Sequence, residues 1–246
     1  MRFLNTILNI IFPIRCVFCG KNNSDLCQNC LSEATGAERE SENWIFPIYD
    51  YRNPIIKKSL SLLKYKGKKR LAKIFAGIVY EKILEELSEL STMENFRGPI
   101  LIPIPLSPKR YRERGYNQAE LICRELIKID KLRNHLTPSP SPNLGEGGRR
   151  SGEVLVFHKT FTLENNILIK IKETEHQARI KDRRIRLKNL SNSFAIKNGE
   201  RGEVMLKGKN IILIDDITTT GATLSEAKKI LKQAGARKVI AFTVAH

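Results

Sequence analysis

The chain has 246 residues, 41% of them apolar, with 43 lysines and arginines against 26 acids for a formal charge of +17. That length suits one catalytic-sized domain and a small appendage, and no apolar run approaches the ~18 residues of a membrane span, so membrane insertion is not expected. The charge excludes little but points towards polyanions, either nucleic acid or phosphate-rich small molecules, with a solvated basic surface as the plain alternative.

The amino end, "MRFLNTILNIIFPIRC", is apolar but broken by Asn5 and Asn9, and it lacks a small-residue cleavage site. It reads as a short packed helix stopped by Pro13, not as a secretion signal. Arg15 directly before Cys16 argues against lipid attachment, and a cytoplasmic protein is expected. Four of the five cysteines follow in "CVFCGKNNSDLCQNC", as Cys16-x2-Cys19-x7-Cys27-x2-Cys30. Two CxxC pairs joined by a short polar loop fit a tetrahedral zinc site with four thiolate ligands; Gly20 suits the first turn. A reducing cytosol disfavours the alternative of paired disulfides. With all four places taken by cysteine, the zinc would be structural, replacing a core that so few residues cannot build. Cys123 stands alone in a helical pattern and reads as packing.

A polar, acidic stretch from Ser32 to Asn43 reads as a linker, which divides the chain into a zinc module at 1–43 and a main domain at 44–246. "WIFPIYDYRNP" is expected to form a strand ending in a turn, and 54–87 two helices around a basic turn from Lys64 to Arg70. "GPILIPIPLSP", 98–108, reads as a buried strand, followed by a charged loop "KRYRERGYNQ" and a helix from about Gln118 to Ile129. Residues 137–152 have neither periodicity nor apolar content and read as a flexible insertion. Beyond them come a strand in "NNILIKIKET", a basic helical run "EHQARIKDRRIRLKNL" and an extended "SNSFAI". The chain closes with a strand at 210–214, a loop, a helix at 223–234 with Gly235 as a left-handed stop, and a strand at 238–244. Strand–helix–strand spacing implies parallel strands with a right-handed crossover, hence an α/β fold.

"IILIDDITTTGAT", 211–223, carries the chemistry. Ligands of open parallel sheets collect beyond the carboxyl ends of strands, where Asp215 and Asp216 are expected to emerge. The loop Thr218–Thr223 then enters a helix whose free first-turn amides and dipole suit a phosphate. Gly221 permits close approach of the main chain, and Thr219, Thr220 and Thr223 offer hydroxyls. Acids beside a phosphate cradle fit a ligand with a phosphate at one end and a vicinal diol at the other, that is, a ribose 5-phosphate; the same carboxylates suit magnesium.

This stretch resembles the phosphoribosyl pyrophosphate signature of type I phosphoribosyltransferases. The chain as a whole resembles the ComF family of competence-associated, phosphoribosyltransferase-like proteins. The pieces that carry the resemblance are the four-cysteine module, "LLKYKG" at 62–67, "PIPLSPKRYRERGYNQ" at 103–118, "HQARIKDRRIRLKNLSNSF" at 176–194 and the signature. The resemblance implies a type I phosphoribosyltransferase-like parallel sheet flanked by helices. It implies that Asp215 and Asp216 contact the ribose hydroxyls, and that Thr219, Thr220, Gly221, Ala222 and Thr223, with Thr218 beside them, hold the 5-phosphate. Arg112, Arg114 and Gly115 become the candidate pyrophosphate loop, consistent with the fork geometry of arginine.

Three roles follow. A catalyst would displace pyrophosphate through an oxocarbenium-like state, aided by magnesium, although no motif supplies a general base or a nucleobase pocket. Alternatively, as the family resemblance implies, the protein binds phosphoribosyl pyrophosphate or a related sugar phosphate while assisting DNA uptake and single-stranded DNA handling with DNA-uptake proteins. The runs "KYKGKKRLAK" and "RIKDRRIRLK" are the candidate basic faces, poor in aromatics. The third is an adaptor with a vestigial pocket, against which the intact signature argues.

Overall fold

A computed structural model describes residues 13–38, 42–94, 96–136, 161–172 and 192–246. The expected amino-terminal helix, the 137–152 insertion and the basic run at 175–190 lie outside the described residues. The organising element is β6 (Asn210–Ile217), an eight-residue strand whose first five residues are buried. It is flanked by β7 (Lys238–Ala245) and β2 (Ile100–Pro103), with β1 (Ile45–Tyr49) outside β7 and β3 (Thr162–Leu163) outside β2; all pairs are parallel. Such a sheet needs cover on both faces, and the alternation of β6 supplies it. Ile212 and Ile214 join one hydrophobic cluster, with α2 (Pro54–Tyr65), α3 (Leu71–Glu94) and α5 (Gln118–Leu136). Ile211 and Leu213 join the other, with α6 (Glu200–Leu206), α7 (Ala222–Gln233) and the antiparallel pair β4 (Leu168–Lys170) and β5 (Phe194–Ile196). α1 (Gln28–Ser32) belongs to the cysteine module.

From β2 the sheet grows outward to β3, whereas from β6 it grows the other way to β7. The strand order therefore reverses between β2 and β6, which is the switch point where open α/β sheets bind ligands. β2 ends opposite Ile214, while β6 continues alongside β7 to Ile217. Asp215 and Asp216 thus lie within the strand, not after it as expected, because β7 keeps supplying partners on one side. Past Ile214 the other side of β6 is open.

Local signals explain the helices around this crevice. Asn53 caps α2, its side chain accepting from the amides of Ile55 and Ile56 at 3.0 and 3.3 Å, with Pro54 in the first turn. Ile55, Ile56, Ser59, Leu60 and Leu63 form the buried stripe of that helix. The basic turn predicted between the two helices is present. The charged loop expected after β2 is instead a helix, α4 (Pro108–Arg114). Ser107 caps it by accepting from the Arg110 amide, Pro108 opens it, and Gly115 closes it at φ 74° with its amide donating to the Tyr111 carbonyl. Gly235 takes the left-handed conformation expected of it, at φ 88°. Among the described residues no helix is long and apolar enough to cross a membrane.

Asn117 ties the crevice to the helical layer. Its buried side chain donates to the Ile104 carbonyl at 2.9 Å and accepts from the Ala119 amide at 3.0 Å at the start of α5. Asn117→Ala removes a helix cap and strands a carbonyl, so chemical denaturation should show a loss of about 2 kcal/mol.

Candidate functional site

A cleft of about 310 Å³ opens over the switch point. Its floor and one wall are Asp215, Asp216 and the run Ile217–Leu224; its other wall is the segment Ile104–Ser107 with Arg110 and Arg114; Tyr51, Lys64, Tyr65 and Lys170 complete the rim. The residues Asp215, Asp216 and Thr218 to Thr223, grouped from the sequence, therefore line one cavity. Arg114 lines it too, whereas Arg112 and Gly115 do not. Helical phase is the reason: Arg110 and Arg114 are four apart on α4 and share a face, which turns Arg112 outward, and Gly115 serves as the helix cap.

The phosphate-cradle geometry depends on Gly221. It precedes α7 at φ 72°, and a Cβ there would stand 3.0 Å from the Ile45 side chain. Both the backbone conformation and the space therefore require glycine. Thr218 is buried and its amide donates to the Ala245 carbonyl at 2.9 Å; Thr219 is exposed. The chain rises from a strand tied to β7 into the first turn of a twelve-residue helix, whose opening residues Ala222, Thr223 and Leu224 line the cavity.

The acid pair is held by a cation that the sequence reading placed only in a basic turn. Lys64, in the last turn of α2, brings its ammonium to 3.0 Å from Asp216 Oδ2, with both side chains largely buried. The contact is an ion pair without hydrogen-bond geometry, so this buried oxygen has a counter-charge but no hydrogen-bond donor among the described residues. Asp215 turns its carboxylate back over the chain, Oδ1 accepting from the Asp216 amide at 2.8 Å. Burial, and then the neighbouring Asp216, push the Asp215 carboxyl well above the usual carboxylate range, while Lys64 opposes the rise. Lys64 lies four residues after the buried Leu60, a spacing that places it on the packed side of α2 and could have identified it. Arg114 is held as well: it donates to Gln118 Oε1 at 3.0 Å and to the Tyr65 hydroxyl at 3.5 Å, with its guanidinium 5.1 Å from the Tyr65 ring centre.

A second cluster stands apart from the cleft. The sulfurs of Cys16, Cys19, Cys27 and Cys30 all lie within 4.8 Å of one another, with Cys16–Cys30 at 3.8 Å and Cys19–Cys27 at 3.5 Å. A zinc ion with Zn–S bonds of about 2.3 Å requires tetrahedral sulfur separations of about 3.8 Å, so the donor set fits that metal. All four are free of disulfides, and the Cys27 amide donates to Cys16 Sγ at 3.4 Å. Burial, and then the neighbouring sulfurs, push the Cys30 thiol strongly up, a penalty that a divalent cation would reverse. Cys123 is fully buried in α5, the packing role expected of it.

Comparisons with known proteins agree with this layout. The phosphoribosyl transferase domain family matches residues 166–246, which contain the acid pair and the cradle. Competence protein ComFC of Streptococcus pneumoniae is 30% identical over 233 residues, covering 93% of this chain and 79% of that one. Competence protein ComFC of Bacillus subtilis is 29% identical over 237 residues, covering 93% and 76%. A DNA utilization protein of Escherichia coli is 24% identical over 214 residues, covering 87% and 74%.

Lys64→Met would leave Asp216 buried without its counter-charge. Denaturation at neutral pH should show a loss of about 3 kcal/mol. The cost arises from buried ionised carboxylate, so the difference from the unsubstituted protein should shrink in acid.

Proposed function

The chain belongs to the ComF family of competence proteins and carries a phosphoribosyl transferase domain, and from that premise we propose that its cleft binds phosphoribosyl pyrophosphate or a related ribose 5-phosphate in a protein that assists DNA uptake by handling single strands. The observation that carries the reading is the convergence, in one cleft, of two acids, an open helix start and two arginines on the opposite wall. A ribose ring placed with its hydroxyls on Asp215 and Asp216 would put its 5-phosphate against the amides of 219–223, and a pyrophosphate on C1 would face Arg110 and Arg114. Magnesium would enter with the ligand, held by its phosphate oxygens and at most one carboxylate, and would offset the phosphate charge. Cys16, Cys19, Cys27 and Cys30 would hold one structural zinc.

The DNA role rests on the relatives named for competence and DNA utilization and on the charge of +17. A second reading, transfer of the phosphoribosyl group to a base in nucleotide salvage, is favoured by one feature: Arg110, Arg114 and Lys170 on the cleft rim could draw charge from a departing pyrophosphate. Against it, the only carboxylates lining the cleft, among the described residues, are the pair on β6. Pyrophosphate release assayed across nucleobases separates the two readings.

Thermal denaturation tests the ligand. Phosphoribosyl pyrophosphate with magnesium should raise the melting temperature, and Asp215→Asn should reduce that rise; an unsubstituted protein indifferent to the ligand would refute the reading. Binding of an oligothymidylate should weaken with salt, log K falling by about 0.7 per phosphate contact for each tenfold rise in salt. Elemental analysis should find one zinc per chain, and Cys27→Ser should lose both the metal and thermal stability.

A further inference from the structure

The sequence presents two basic segments, 64–70 and 108–114, separated by a helix and a strand. The fold brings them together. The Tyr116 hydroxyl donates to the Leu63 carbonyl, Lys69 lies 4.5 Å above the Tyr116 ring, and Arg114 rests against Tyr65. Between them the two segments hold nine lysines and arginines and a single acid, Glu113. Residues 65–70 are all exposed. Two tyrosines stand out on this ridge, Tyr65 at 60% exposure and Tyr111 at 50%. Tyr111 is three residues before Arg114 on α4 and shares its face, so it stands beside the Arg114–Tyr65 contact, just outside the cleft lining.

Exposed tyrosines set among cations are a stacking platform for single strands, whose unpaired bases offer the faces that a duplex hides. The run at 64–73, which holds one tyrosine in its own sequence, thus gains a second from α4 where the two segments meet. Arg114 belongs to both features. Its guanidinium lies on Tyr65 at the ridge, and its side chain lines the cleft beside Arg110. The last turn of α2 is divided in the same way, with Lys64 turned in towards Asp216 and Tyr65 turned out.

We infer that single-stranded DNA lies across the mouth of the cleft, stacking on Tyr65 and Tyr111, and shares Arg114 with the phosphoribosyl ligand, so that each ligand weakens the binding of the other. The inference rests on the reading of the cleft given above and adds to it the path of the strand and the sign of the coupling. That sign follows from charge. A pyrophosphate drawing Arg114 into the cleft takes it from the strand, and places its own negative charge beside the strand's phosphates. Because the coupling is a free energy, it acts equally in both directions.

The test uses the full chain and a fluorescein-labelled oligothymidylate, followed by anisotropy at constant ionic strength. Saturating phosphoribosyl pyrophosphate with magnesium should raise the Kd for the oligonucleotide about fivefold or more. Tyr111→Ala, on an exposed residue outside the cleft lining, should weaken the oligonucleotide about tenfold while keeping the ligand's thermal shift, and Tyr65→Ala should weaken it comparably. A ligand that stabilises the protein yet leaves the oligonucleotide Kd unchanged would overturn the inference and spare the cleft reading. So would tyrosine variants that bind the oligonucleotide as the unsubstituted protein does. A ligand that produces no thermal shift would remove the cleft reading, and the inference with it.

Discussion

Two adjacent carboxylates at the end of a buried strand need a positive charge beside them, and Lys64 is that charge. Without it, ionising Asp216 at this depth costs several kcal/mol. The requirement reaches well beyond the ion pair. Lys64 arrives only if α2 docks in register, which depends on its buried stripe from Ile55 to Leu63 and on the Asn53 cap at its start. The Leu63 carbonyl one residue earlier is bound by Tyr116, which in turn sits between the end of α4 and the start of α5. The acid wall of the cleft and its arginine wall are therefore adjusted through one helix end, and a shift of α2 would move both.

The topology supplies the opposite constraint. β2 stops at Pro103, opposite Ile214, while β7 accompanies β6 to Ile217. One side of the acid pair is thereby fixed by ladder bonds and the other is open to a ligand. Gly221 completes the arrangement by letting the chain leave the sheet through a left-handed turn packed against Ile45 on the far side of β7.

Much of this was legible in the sequence because it is local. The unit β6–α7–β7 combines a buried apolar run, a helical period and a glycine stop, and its helix bounds agree with expectation to one residue. The cysteine spacing predicted the convergence of four sulfurs for the same reason. What was missed is either masked or distant. In α4 the density of charge hid a helix whose Ser107, Pro108 and Gly115 are ordinary cap signals, and reading it as a loop led to Arg112 in place of Arg110. The pairing of Lys64 with Asp216 spans more than half the chain and has no periodic trace. The meeting of segments 64–70 and 108–114 is tertiary in the same sense, since it depends on how α2 and α5 pack over β6.

The cysteine module belongs to this same mechanical system. Cys16, Leu26, Cys27 and Cys30 are buried in the cluster that holds α2 and α3 to the sheet, and Asp25 pairs with Arg70 at 3.0 Å. The exposed ion pair contributes little energy by itself, but it touches the last residue of the basic turn. The module also meets α2 directly, with Lys58 of that helix 5.6 Å from the Phe18 ring centre, and its Asp25 meets the turn that follows the helix. The module is thus placed to brace the helix end that serves both the acid pair and the basic rim. An appended module need not line the cleft to matter to it; it has only to limit how far that helix end can move.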